Sequence, residues 1–145
     1  MGARWVQSEI LEPNPKADVV VYAVSFRMLA SDRVAKWLVE PHDLLSDPRV
    51  LHYWDEGSVV GRYYEEHVTR LGDPGEDRVE WDAYFLYGPG ATWGEQPPEH
   101  VSWGRTIVDS RERLLRDFTT LVARTGSPKL GVRGVVRHEN GGIRR

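Results

Sequence analysis

The sequence predicts an α/β protein in which helices pack on the faces of a sheet, and three observations carry that reading. Helical and extended patterns alternate in the order helix, strand, helix, strand, helix, strand, strand, helix, and such alternation builds layered α/β architectures. Val19-Val20-Val21-Tyr22-Ala23-Val24-Ser25-Phe26 is a β-branched and aromatic run without polar alternation, the pattern of a strand covered on both faces. Val60, Tyr63, Tyr64, His67, Val68 and Leu71 recur at steps of three and four, the clearest helical period in the chain.

The elements follow in order. Residues 1–11 read as the body of an amphipathic helix with Ala3, Val6 and Ile10 on one stripe, although no capping residue introduces it. Pro13-Asn14-Pro15 stops it, because proline cannot continue a helix and restrains its predecessor. After the Val19–Phe26 strand, Ser31 or Asp32 caps a short helix with Val34, Trp37 and Leu38 on one face, limited by Pro41. Val50 to Trp54 is the second strand, and Ser58 is the expected cap of the Val60–Leu71 helix. Gly72-Asp73-Pro74-Gly75 breaks that helix before a third strand, Ala83 to Tyr87, which ends at Gly88-Pro89-Gly90. A Gly- and Pro-rich loop leads to His100–Val108, the expected hairpin partner of the third strand. The last helix starts near Asp109 or Ser110, buries Leu114, Leu115, Phe118, Leu121 and Val122, and stops at Gly126 with Pro128 behind it.

Composition bounds the function. A length of 145 residues suits one domain, expected over residues 1–126, with 127–145 as a basic, mobile tail dispensable for folding. The formal charge of −3 divides unevenly: residues 1–128 hold 14 Lys/Arg against 21 Asp/Glu, and residues 129–145 hold five against one. An acidic body opposes phosphate backbones, so the sequence argues against a nucleic-acid partner despite Lys129, Arg133, Arg137, Arg144 and Arg145. No apolar run is long enough to cross a bilayer and no signal-peptide pattern opens the chain, so a soluble, cytoplasmic protein without a membrane partner is expected. With no cysteine, this chain can form no disulfide, thiolate nucleophile or Cys-based metal site.

Three segments carry a family resemblance: Val19 to Phe26; Leu51-His52-Tyr53-Trp54-Asp55-Glu56-Gly57-Ser58-Val59-Val60-Gly61-Arg62-Tyr63-Tyr64; and Trp81-Asp82-Ala83-Tyr84-Phe85-Leu86-Tyr87-Gly88. Over about residues 3–125 the chain resembles the thioredoxin-like, or redoxin, superfamily. That resemblance implies a sheet with helices on both faces, an aspartate-led turn into a helix, and a two-stranded hairpin packed by the terminal helix. It also implies an N-terminally incomplete domain. The family's redox enzymes carry a cysteine at the start of the first active-site helix, here comparable to the helix with Trp5 and Ile10, and this sequence has none. Many relatives place a cis-proline just before the strand comparable to Ala83–Tyr87, where this sequence has Val79-Glu80-Trp81-Asp82. The strand preceding the active-site helix is central in that sheet. The expectation is therefore that the chain dimerises through its sheet or first helix, or brings Val19–Phe26 directly beside Ala83–Tyr87.

Candidate sites divide against structural alternatives. The five histidines, His42, His52, His67, His100 and His138, show no metal-binding spacing, so no metal is expected. His67 reads as a satisfied, partly buried histidine and His52 as a strand-surface or edge residue. Asp55-Glu56 and Glu65-Glu66 are adjacent pairs whose side chains diverge, and Asp55 suits a turn or cap, so no catalytic residue is assigned. Gly88–Gly94 lacks the Gly-Lys-Ser/Thr ending of a phosphate-binding loop, and no cofactor is expected. Three tryptophans near strand ends mark a candidate binding groove: Trp54, Asp55, Trp81, Asp82, Trp103 and Arg105. Core packing with indole hydrogen bonding is the preferred alternative for them.

These readings converge on a cysteine-free thioredoxin-like domain with a non-catalytic binding or assembly role, its partner another protein or a second copy. The alternatives are a truncated, bacterial-type thiol oxidoreductase or peroxidase-related enzyme whose cysteine-bearing front is absent, and a cysteine-independent hydrolase using Asp or His near Trp54 and Trp81. Whether the chain is an enzyme stays open at the level of sequence. No thiol redox activity is expected of it.

Overall fold

The computed structural model describes residues 2–27, 43–73 and 77–125. The Ser31–Pro41 helix expected from sequence and the basic tail lie outside them. The first helix, α1, begins as Gly2–Trp5 and continues with a wider, π-helical winding through Val6–Leu11. β1 is Val21–Ser25 and β2 is Val50–Trp54; α2 is Val59–Tyr64, again continued as a π-helical turn over Glu65–Thr69. β3, Ala83–Tyr87, and β4, His100–Arg105, precede α3, Arg111–Thr125. The fold thus mixes helices and strands, compatible with the α/β class that the alternating sequence predicts, but the described strands form two small sheets where a single sheet is expected.

Each sheet has two strands among the described residues. β1 and β2 run parallel, with Val21 opposite Val50 and Ser25 opposite Trp54. β3 and β4 are antiparallel, with Ala83 opposite Arg105 and an irregularity between Leu86 and Tyr87. One core serves both sheets. Ile10, Leu11, Leu45, Val50, Leu114 and Phe118 are buried in it, and Val21, Ala23, Tyr84 and Leu86 pack against them. Leu11 is completely buried. The opposite face of the β3–β4 hairpin is covered by α2, whose Tyr64 ring lies 4.3 Å from that of Phe85. Helices therefore lie on both faces of this hairpin.

Arg49 ties the first helix to the parallel sheet. Its Nη2 donates to the Leu11 carbonyl at 2.8 Å, and Nη1 donates to those of Asn14 and Ala17 at 2.7 and 3.1 Å. These include carbonyls left without helical donors at a C-terminus. Asp47 holds the guanidinium through Nε at 2.8 Å and Nη2 at 2.6 Å, and the Arg49 carbonyl accepts from Val21 N at 3.0 Å. The Arg49 hydrogen bonds hold the Asp47 carboxyl at about pKa 2, below its usual 3.8.

Several expectations are corrected. The strand run is not covered on both faces: Tyr22 is 50% exposed and pairs with Tyr53, 52% exposed, across the outer face of β1 and β2. The reason is that only the Val21 and Ala23 side of β1 meets the core. The direct pairing of Val19–Phe26 with Ala83–Tyr87 is absent among the described residues, because β1 bonds to β2 and β3 to β4. Ser58 makes no side-chain cap; it turns the chain with a left-handed φ of 52°. Asp55 does the capping instead, accepting from Val60 N at 2.8 Å, in keeping with its reading as a turn or cap residue. Leu115 lies on the exposed side of α3, away from Leu114 and Phe118. His52, read as a strand-surface or edge residue, lies part-buried on β2, whose one ladder partner among the described residues is β1, and its Nε2 donates to the Leu45 carbonyl at 2.9 Å.

Asp47 is the acid-labile member of this clasp. Because its folded pKa is depressed, its contribution is present above the ordinary carboxyl range and is lost as pH falls toward 2, about 1 kcal/mol once solvent screening is counted. Urea titrations at pH 5 and pH 2.5 should show that loss in the native chain and a flatter profile in Asp47→Asn. A charge on the core side of β1 is expected to act quite differently from one on the outer side. Val21→Lys should destabilise by about 3 kcal/mol and Tyr22→Lys by less than about 1 kcal/mol, measured as the urea midpoint.

Candidate functional site

The turn after β2 positions the first part of the site. Asp55 N donates to the Ser25 carbonyl at 2.8 Å and the Asp55 carbonyl accepts from Ser58 N at 3.2 Å, so the turn from β2 into α2 is tied to the end of β1. Its carboxylate is occupied by Val60 N. Trp54 lies at the end of β2, and its buried indole N–H finds no acceptor among the described residues. The expected indole hydrogen bond is therefore missing among the described residues.

α2 then packs onto the segment before β3 at Gly61. A Cβ there would come within 2.5 Å of Val79 Cγ1 and 2.8 Å of the Glu80 carbonyl oxygen, so no larger residue fits without displacement. The close approach brings Glu80 N to the Gly61 carbonyl at 3.0 Å. Glu80 is carried into the interior, with its side chain 2% exposed, and its carboxylate meets Arg105 Nε at 2.7 Å. Neither carboxylate oxygen has a well-aligned hydrogen bond among the described residues. Sequence reasoning selected Arg105 and passed over Glu80; nothing in the local pattern marks this glutamate as inward-facing, because the segment is neither helix nor strand.

Asp82 follows with a left-handed φ of 48°, a conformation aspartate tolerates better than most residues. It redirects the chain into β3 and leaves Trp81 49% exposed. Trp81 and Arg105 come together on a cavity of about 350 Å³ shared with Glu65, Asp77 and Arg78. Its charges are largely engaged: Asp77 pairs with Arg62, Arg105 with Glu80, and Glu65 accepts from Gly72 N at 2.8 Å. Trp103 belongs elsewhere. It stacks on Phe85 with ring centroids 6.0 Å apart, in an aromatic layer with Tyr64, Tyr87, Trp93 and His100.

Within that layer the Tyr64 and Tyr87 hydroxyls share a 2.8 Å hydrogen bond. Burial raises both phenol pKa values, and for Tyr64 the bond to Tyr87 adds to the rise, so both stay neutral at ordinary pH. His67 stacks on Tyr63 at 4.3 Å and its Nδ1 donates to the Tyr63 carbonyl, the satisfied, partly buried histidine expected from its place on the helical stripe. No group of three or more metal-binding side chains occurs among the described residues, and no described helix is long and apolar enough to cross a membrane. The predicted groove thus divides into a charged cavity with Trp81 and Arg105, a capped turn with Trp54 and Asp55, and an aromatic layer with Trp103. No family model matches the chain, and no curated protein or solved structure is significantly similar to it.

Glu80 and Arg105 depend on each other. Arg105→Ala leaves a buried carboxylate without its counter-charge and should lower stability by about 2 kcal/mol, less than for a fully buried pair because Arg105 is partly solvated. Adding Glu80→Gln to that variant should recover most of the loss in urea denaturation, since the uncompensated charge is gone.

Proposed function

We propose that the chain is a cysteine-free, thioredoxin-like domain with a non-catalytic binding or assembly role. The observation that supports this reading best is that two sheets rest on one core yet share no ladder among the described residues. Among the described residues each strand has one ladder partner, and strand edges without a second partner recruit further strands. The parallel pair, the antiparallel hairpin, the Asp55-led turn into α2 and the closing helix α3 follow the order of elements that the resemblance implies.

The hydrolase alternative gains little from the geometry. Asp55 is committed to capping α2, while Asp82 shapes the turn into β3. Neither carboxylate is paired with a base or a nucleophile in the described contacts.

Sedimentation velocity over a wide concentration range, combined with amide hydrogen exchange, tests the assembly role. The expected result is reversible association that increases protection at the β1 or β3 amides. A chain that stays monomeric with every β1 and β3 amide already protected would overturn it.

A further inference from the structure

We propose that Tyr22 and Tyr53 form an oxidative cross-linking site, at which hydrogen peroxide and a haem peroxidase join the two phenol rings as a dityrosine. The site lies on the outer face of the parallel sheet and does not depend on the binding-module reading. In the register of β1 against β2, Tyr22 is opposite Leu51 and Tyr53 is opposite Val24, so the two tyrosines are diagonal neighbours. Side chains alternate between faces along a strand, and both tyrosines lie on the face opposite Val21, Ala23 and Val50, which meet the core. Their ring centroids are 6.1 Å apart, with the planes inclined by 31°.

The surroundings select this pair among the six tyrosines of the chain. Tyr22 and Tyr53 are exposed, at 50% and 52%, and the other four are half-buried. Those four also have engaged hydroxyls: Tyr63 donates to the Glu95 carbonyl at 3.1 Å, Tyr64 and Tyr87 share a 2.8 Å bond, and Tyr84 meets Ser102 Oγ at 3.2 Å. Tyr64 and Tyr87 are the competing pair by distance. Burial holds both of their phenols protonated, whereas an exposed phenol that loses an electron passes its proton directly to water.

In the coupling, each phenol gives up one electron and its hydroxyl proton, leaving two phenoxyl radicals. The radicals join at ring carbons ortho to oxygen, forming one carbon–carbon bond. Each joined carbon then releases its hydrogen and each oxygen regains a proton, which restores two phenols with a net loss of two hydrogen atoms. Peroxide takes up the two electrons and two protons and leaves as two waters. Rotation of a tyrosine ring about its bond to Cβ is soft, so the facing edges meet while the ladder stays intact, and the product ties β1 to β2 covalently.

The full chain, at a concentration where it is monomeric, is treated with the peroxidase and peroxide, and the monomer is then analysed by intact mass and tryptic mapping. The expected result is a monomer lighter by two hydrogen atoms, with dityrosine fluorescence and a linked peptide joining residues 17–27 to residues 50–62. Tyr22→Phe and Tyr53→Phe should each abolish that peptide, while Tyr64→Phe and Tyr87→Phe retain it. A monomer whose dityrosine joins Tyr64 to Tyr87 instead, dityrosine confined to covalent dimers, or oxygen addition at Trp81 and Trp93 with no linked peptide would each overturn the proposal. Undiminished yield of the linked peptide from Tyr22→Phe would overturn it as well.

Discussion

The packing of the first helix on the parallel sheet depends on one guanidinium. Arg49 gathers the carbonyls of Leu11, Asn14 and Ala17 while Asp47 neutralises it from the opposite side. The clasp adds a charged donor to carbonyls that each also accept a main-chain N–H, and so fixes the turn that follows Leu11, the most buried side chain. The same residue starts the ladder between β1 and β2 through its carbonyl. Helix termination, core formation and strand register are thus linked at a single position, with charge-assisted hydrogen bonds stronger than neutral ones holding them together.

A second constraint acts on the other side of the hairpin. Gly61 lets α2 sit against Val79 and Glu80, and the same contact draws the Glu80 carboxylate inside, where Arg105 at the end of β4 meets it. The ion pair therefore joins the approach to β3 with the end of β4. It explains how a partly polar segment can flank a strand enclosed by aromatic rings. Arg105 consequently serves the fold first, and its presence on the cavity follows from that role.

These two anchors organise the two halves without closing the sheet. The parallel pair meets the core on the side of Val21, Ala23 and Val50, whereas the hairpin has apolar cover on both faces. The asymmetry leaves Tyr22 and Tyr53 half in water on the outer face of the parallel pair, while Phe85 of the hairpin lies under Tyr64. The charged cavity near Trp81 has its ionic groups held by partners outside its lining, Asp77 by Arg62 and Arg105 by Glu80.

The amino-acid sequence by itself determined the order of the described elements, the bounds of β2 and β3, the inward positions Ile10, Leu114 and Phe118, the role of Asp55 in a turn or cap, and the absence of any thiol. These are local matters of period, turn chemistry and composition, which neighbouring residues largely decide. Only the tertiary structure decided that Tyr22 faces outward, that Trp54, Trp81 and Trp103 occupy three separate environments, that Glu80 is buried, and that Arg49 clasps the first helix. Each depends on residues distant along the chain: 38 positions separate Arg49 from Leu11, and the register of β1 against β2 selects which side of a uniformly apolar run meets the core. An apolar run without alternation carries no signal for choosing its inner face, so packing makes that choice.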